Sequence, residues 1–380
     1  MILLKNIEVY SPKYLGKKDV LISGKSIYKI EDNIKNNDLF NIVDCNNKKL
    51  IPGFIDNHVH VIGGGGEGGF KSRAPEVQLS DLIRAGITTV CGLLGTDSET
   101  RSVENLVAKS YALQEEGITA FCFTGSYGFP SKTLTNSLKK DIVFIHPIIG
   151  TKIAISDHRS SSITNDELAR LASDTRVAGM ISGKSGVVIT HMGDGSTNLK
   201  QVFDVIDNTE IPLTTIHPTH VNRKKSLLED AYKYANIGGY IDISAGYIDI
   251  DDEVSGVTAI KESIKRNIPQ NRITISSDGQ GSWSNYDDDG NLINMGVAPV
   301  DVLFKEFKKI LDSNISMEDA LIYFTSNVAT SFNFKNKGSI KENKDADLLI
   351  LDENNNINSV IALGKFLMKD NELLVKGTYE

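Results

Sequence analysis

The chain has 380 residues, 41 Lys+Arg against 49 Asp+Glu, a net charge of -8, and 40% apolar residues. These proportions exclude wholesale disorder and fibrous repeats, and the length allows ~2 or 3 domains of roughly 150 residues, or one α/β barrel with an accessory module. An acidic chain has no surplus of Lys and Arg to set against a polyanion, so no nucleic-acid partner is expected.

Residues 1–51 alternate apolar and polar positions in short runs (MILLKNIEVY, DVLISGKSIYKI, FNIVDCNN), the pattern of half-buried antiparallel strands. Lys5 and Glu8 break the opening run, which therefore does not read as a signal peptide. From 52 to 337 the texture changes. Eight apolar runs follow one another: GFIDNHVHV, ITTVCGLLG, ITAFCFTGSY, IIGTKIAIS, GVVITHMG, IPLTTIHPTH, YIDISAG and RITISSDG. Several intervals between them have helical spacing, as in PEVQLSDLIRAG, SVENLVAKSYALQEEG, DELARLASD and LKQVFDVIDN. Apolar runs alternating with amphipathic helices predict parallel strands covered by helices. A count of eight predicts an α/β fold of the (β/α)8 TIM-barrel kind rather than an open doubly wound sheet. Residues 338–380 return to short alternating runs (GSIKE, ADLLILD, INSVIALGK, ELLVKG) and are expected to pack with 1–51 as one small β-sandwich module.

No stretch approaches the ~20 apolar residues that span a bilayer, so no membrane partner is expected. Cys45, Cys91 and Cys122 are odd in number and form no C-x-x-C pair, which fits a reducing, cytoplasmic setting without a disulfide framework.

In a barrel of this kind reactive side chains project from the C-terminal ends of the strands. The first run ends in His58-Val59-His60. Residues two apart on a strand face the same way, so both imidazoles can meet one metal ion, although H-x-H alone is a weak signal. The fourth run holds Lys152, the fifth ends in His191, the sixth in His220 and the eighth in Asp278. His191 and His220 could each be core or surface histidines, and Asp278 could cap a helix. Yet four of the seven histidines fall at strand ends, together with an Asp and a buried-looking Lys. An ammonium in an apolar run is costly to bury and cannot ligate while protonated. Lys152 therefore needs either an ion pair, for example with Asp56, or conversion by carbon dioxide into an anionic carbamate able to bridge two cations.

PGFIDNHVHVIGGGGEGG, the strand-end set, and DADLLILD near the C-terminus resemble the amidohydrolase superfamily. GGGGE after H-x-H, LLGTD, TGSY, SDHRS, THVNR and SSDGQGS resemble, within it, the isoaspartyl (β-aspartyl) dipeptidase family, in motif order along nearly the whole chain. Asn343 stands in the turn before Asp345 where members of that family often have Gly; asparagine tolerates positive φ. The resemblance implies two divalent metals, zinc by expectation. His58, His60 and Asp278 would hold one, and His191 and His220 the other. Carboxylated Lys152 (N6-carboxylysine) and a hydroxide would be shared by both. It implies Asp278 as general base and then acid, and Tyr127 as hydrogen-bond donor to the oxyanion. For a β-aspartyl dipeptide, with its free ammonium and two carboxylates, it implies Glu67 on the ammonium, Arg159 and Arg223 on the carboxylates, and contacts from Thr96 and Ser282. His217 is expected to be a core or supporting residue, and His146 and His158 carry no ligand role. Members tend to be homo-oligomers. The rival expectations are a cyclic amide hydrolase of the dihydroorotase or hydantoinase kind, and a non-catalytic scaffold on the same fold.

Overall fold

The computed structural model describes residues 1–286 and 292–380. The N-terminal run forms β1 (Ile2–Ser11), β2 (Lys13–Ser23), β3 (Ser26–Glu31), β4 (Asn41–Asp44) and β5 (Lys49–Pro52). The eight apolar runs are the eight barrel strands: β6 (Phe54–Val59), β7 (Ile87–Gly92), β8 (Thr119–Gly125), β9 (Ile148–Ile155), β10 (Val187–Met192), β11 (Ile216–Thr219), β12 (Ile241–Ser244) and β13 (Ile273–Ser276). They lie side by side in chain order, all parallel, and a bridge from Val59 to Gly279 brings the first against the last. Every residue of β6, β7 and β9 to β13 is buried, as expected of strands covered on both faces.

The covering helices are α1 (Leu79–Arg84), α2 (Val103–Glu116), α3 (Leu138–Phe144), α4 (Asn165–Ser182), α5 (Lys200–Asp207), α6 (Lys225–Asn236), α7 (Gly256–Lys265) and α8 (Val302–Asp312), with α9 (Met317–Leu321) and α10 (Ser326–Ser331) after them. Local chemistry sets their ends. Thr164 and Glu167 form a reciprocal capping box that starts α4, which runs eight residues beyond the expected DELARLASD and stops at left-handed Gly183. Ser102 caps α2, and Gly117 ends it at φ 118°. Ile55, Cys91, Phe123, Ile149 and Ile189, from the five successive strands β6 to β10, meet Val328 and Phe332 around α10 in an apolar cluster of their own. In sequence, Ile149 and Ile189 stand just before Lys152 and His191.

After the barrel come the hairpin strands β14 (Ser282–Tyr286) and β15 (Leu292–Val297), which the sequence reading did not anticipate. Then β16 (Leu348–Leu351), β17 (Ile357–Ala362), β18 (Lys365–Lys369) and β19 (Glu372–Leu373) join β1 to β5 in one nine-stranded sheet. The join is antiparallel pairing of β16 with β5. The sheet curls until its far parts meet, Ser26 bridging Asp345 and the Gly24 turn abutting Gly364. Leu4, Val9, Val20 and Ile22 from one terminus share a core with Leu348, Ile350 and Ile361 from the other. Asn343 sits at φ 69°, the backbone geometry its type tolerates.

Candidate active site

The six ligand-type side chains converge from five strands. His58 lies in β6 and His60 one residue beyond it; Lys152 lies in β9 and His191 in β10; His220 directly follows β11, and Asp278 follows β13 by two residues. His58 Nε2 is 2.9 Å from Lys152 Nζ and 3.5 Å from Asp278 Oδ1. His60 Nε2 is 3.3 Å from the same oxygen, and His220 Nδ1 is 3.9 Å from Asp278 Oδ2. The ring centroids of His58 and His220 are 4.6 Å apart, and those of His191 and His220 4.7 Å. His220 and Asp278 both adopt left-handed backbone (φ 61° and 52°), uncommon for residues with a Cβ and frequent where a site dictates side-chain direction.

These residues fit a metal centre on three observations. His58, His220 and Asp278 each offer a ligand atom within 4.8 Å of the others. His220 Nε2 and Asp278 Oδ1 are buried without a hydrogen-bond partner, so their lone pairs are unmet. Burial pushes the Lys152 ammonium down from 10.5 to about 7, and the same burial holds His58, His191 and His220 well below the ordinary imidazole range, in the neutral form that binds metals. The ion pair considered for Lys152 is not formed: the carboxylates whose charge acts on it are Asp278 and Asp242, whereas Asp56 accepts from the backbone N–H groups of His58 and Ser277.

His60, Glu67, Thr96, Tyr127, Arg159, His191, Arg223, Asp278 and Ser282 all line one cleft, with His58, Lys152 and His220 fully buried. Glu67 rides on the glycine loop. Gly63 and Gly65 have φ of 76° and 90°, and a Cβ on either would fall 2.1 Å from a carbonyl oxygen of the returning chain, so only glycine lets the loop double back. Buried Arg101 stitches this loop by donating to the carbonyls of Ile62, Gly64 and Ala74. The Thr96 and Ser282 hydroxyls donate to Glu67, at 3.0 and 3.1 Å, and so steady the carboxylate. The Tyr127 hydroxyl lies 2.8 Å from His191 Nδ1, and burial raises its pKa, keeping it protonated as a donor. Arg223 Nε is 3.3 Å from the Tyr247 hydroxyl.

His217 is a core residue, stacked on Phe332 with its Nε2 3.4 Å from Thr274 Oγ1. His146 lies near Phe121, and His158 Nδ1 is 3.8 Å from Asp157 Oδ1.

Two buried carboxylates escaped the sequence reading. Asp242 accepts from Asn57, Thr219, Thr274 and Ser276 (3.1, 2.8, 2.6 and 2.6 Å). Asn57 and Thr219 are chain neighbours of His58 and His220, so this one carboxylate ties ligand-bearing strands together. Asp157 accepts from His191 and Arg159; burial acts to raise its pKa, but those two partners outweigh it and hold the carboxyl well below its usual range. Ser244 Oγ, also unanticipated, is 2.6 Å from His220 Nδ1. Apolar periodicity carries no signal for such residues, since each is a short polar side chain inside or just after a strand.

A model of the amidohydrolase family matches residues 50–367. Among solved structures, the β-aspartyl dipeptidase of Fervidobacterium islandicum AW-1, crystallised in complex with a β-Asp-Leu dipeptide, is 44% identical over 98% of both chains, with a TM-score of 0.93. The dihydropyrimidinase of Brevibacillus agri NCHU1002 is 14% identical over 99% of this chain and 96% of its own, with a TM-score of 0.69, a likeness of fold alone. A dihydroorotase of Staphylococcus aureus (strain MRSA252) is 36% identical over 108 residues, a stretch that spans 28% of this chain and 25% of that enzyme.

Proposed function

This chain belongs to the amidohydrolase family, and on that premise we propose that it is a metallopeptidase that hydrolyses the β-aspartyl bond of isoaspartyl dipeptides. The observation that carries the reading is that Glu67, Arg159 and Arg223 line the same cleft as the ligand-type cluster. One anion and two cations complement a substrate with one ammonium and two carboxylates, and each charged partner must be matched when water leaves.

His58, His60 and Asp278 would hold one divalent cation and His191 and His220 the other, with Lys152, as its carbamate, between them. Two such cations, zinc by expectation, would supply an acidified water and a charge that polarises the scissile carbonyl. The remaining work falls to the chain. Lys152, its ammonium destabilised by burial, can lose its proton and take up carbon dioxide at neutral pH. Asp278, partly exposed at the cleft floor, accepts a proton from the attacking water and returns it to the leaving amine. Tyr127 turns from His191 to donate to the developing oxyanion. Glu67 pairs with the α-ammonium while Thr96 and Ser282 hold its oxygens. Three buried thiols suit a reducing cytoplasm.

The dihydroorotase match supports a second reading, a cyclic amide hydrolase. A scaffold without catalysis accords poorly with six ligand-type residues brought together intact. The deciding experiment offers β-Asp-Leu, α-Asp-Leu and dihydroorotate to metal-replete and chelated enzyme. Cleavage of β-Asp-Leu alone, abolished by chelation, is expected. Equal rates on the two linkages would refute the proposal, and turnover of dihydroorotate alone would establish the rival.

A further inference from the structure

Asp157 has no part in the chemistry above, yet it touches both halves of the site. It follows β9 by two residues, and the turn that throws it inward puts Ser156 at φ 51°, an uncommon conformation for a residue with a Cβ. Its side chain is completely buried. On one side its carboxylate faces His191 Nε2 at 3.0 Å. On the other it accepts from Arg159 three times, from the backbone N at 2.7 Å, from Nε at 2.9 Å and from Nη2 at 2.7 Å. Arg223 Nη1 stands 3.9 Å away. The chain after His191 makes room for it: a Cβ on Gly193 would lie 2.4 Å from Asp157 Cβ.

A carboxylate can only accept, and at 3.0 Å it is a nearer partner of Nε2 than Arg223 Nη1, a donor 3.4 Å away, so the proton on the His191 ring belongs to Nε2, and Nδ1 keeps its lone pair. That lone pair is the one to which the Tyr127 hydroxyl donates. Imidazoles that bind metals commonly have their outer N–H anchored in this way, which fixes both tautomer and ring orientation. The same carboxylate occupies the Nε edge of Arg159, leaving Nη1 to face Glu67 at 3.5 Å.

We propose that Asp157 is a positioning residue for both halves of the site, presenting His191 Nδ1 to a cation and aiming the free edge of Arg159 at the charged substrate. The proposal rests on the hydrolase reading above and adds the residue that couples its metal and substrate sides.

Asp157→Asn keeps the size but puts an amide N–H against donors. Zn2+ affinity of the full chain, measured by competition with a chromogenic chelator in the absence of any dipeptide, should fall ~10–100-fold at the weaker site. KM for β-Asp-Leu should rise together with it. Asp157→Glu, which restores an acceptor, should recover part of the Zn2+ affinity. Arg159→Met provides the contrast, raising KM while leaving Zn2+ affinity at the wild-type value. Gly193→Ala, whose methyl displaces Asp157, is an independent variant should Asp157→Asn fail to fold, and the same paired loss is expected of it. Wild-type Zn2+ affinity in Asp157→Asn or in Gly193→Ala overturns the proposal, and so does a loss of Zn2+ affinity with KM unchanged. If wild-type enzyme binds Zn2+ but leaves β-Asp-Leu intact, the dipeptidase reading fails, while the Zn2+ titrations still decide the role of Asp157 toward His191.

Discussion

Replacing Glu67 by Gln removes one charge from the cleft and very little else. The side chain is only 7% exposed, with Oε1 accepting from Thr96 at 3.0 Å and Oε2 from Ser282 at 3.1 Å. Glutamine is nearly the same shape, so the loop, already tied by Gly63, Gly65 and Arg101, should stay in place. Arg159 keeps Asp157 as its partner, so the substitution does not strand a buried guanidinium. On the proposed reading, what is lost is the ionic hydrogen bond to the substrate ammonium, which would contribute about 1.5–3 kcal/mol. At about 1.4 kcal/mol per factor of ten, kcat/KM for β-Asp-Leu should fall ~10–150-fold. The assay compares β-Asp-Leu with its N-acetyl analogue, whose amine carries no charge. Wild-type enzyme should favour the free amine, and Glu67→Gln should lose most of that preference. A variant with unchanged kcat/KM and an intact preference would show that Glu67 does not read the ammonium.

Lys152→Met should purify with less than the full complement of Zn2+, because no carbamate can form; atomic absorption giving the wild-type stoichiometry would remove the bridging role. Asp278→Asn should lower kcat on β-Asp-Leu by ~10²–10⁴ through loss of proton transfer, and a near-normal kcat would rule that transfer out. Far from the cleft, Asp19 accepts from Lys5 Nζ at 2.6 Å and from the backbone N–H groups of Asn6 and Ile34 at 2.9 and 2.8 Å. Burial acts to raise its pKa, but these partners outweigh it and the carboxyl sits below its ordinary 3.8. The unfolded chain therefore takes up the proton first, so this stabilisation is complete above about pH 4 and disappears as pH falls further. Urea midpoints of wild type should drop along that acid limb more steeply than those of Asp19→Asn, and superimposable limbs would refute the assignment.

Much of this architecture was legible before any coordinates. The eight apolar runs became β6 to β13 because a strand buried on both faces leaves a local imprint, a short uninterrupted apolar stretch. The ligand-type residues could be picked out as polar interruptions within those same runs or at their ends. Asn343, in the turn before Asp345, takes up the left-handed backbone that its residue type tolerates. The hairpin of β14 and β15 and the full length of α4 were less visible, because pairing partners and helix ends depend on neighbours as well as composition.

The amino-acid order by itself determined which strands form and which chemical groups stand at their ends. Only the folded chain decided what each group faces. Asp157 and Asp242 look like ordinary loop and strand acids in the sequence, but folding buries one against His191 and Arg159 and the other among Asn57, Thr219, Thr274 and Ser276. Thr96 and Ser282, 186 positions apart in the chain, meet on the two oxygens of Glu67. The physical reason is that secondary structure is encoded by neighbours a few residues apart. Proton direction, charge and ligand geometry are set by groups that come together only when the barrel closes and water is excluded.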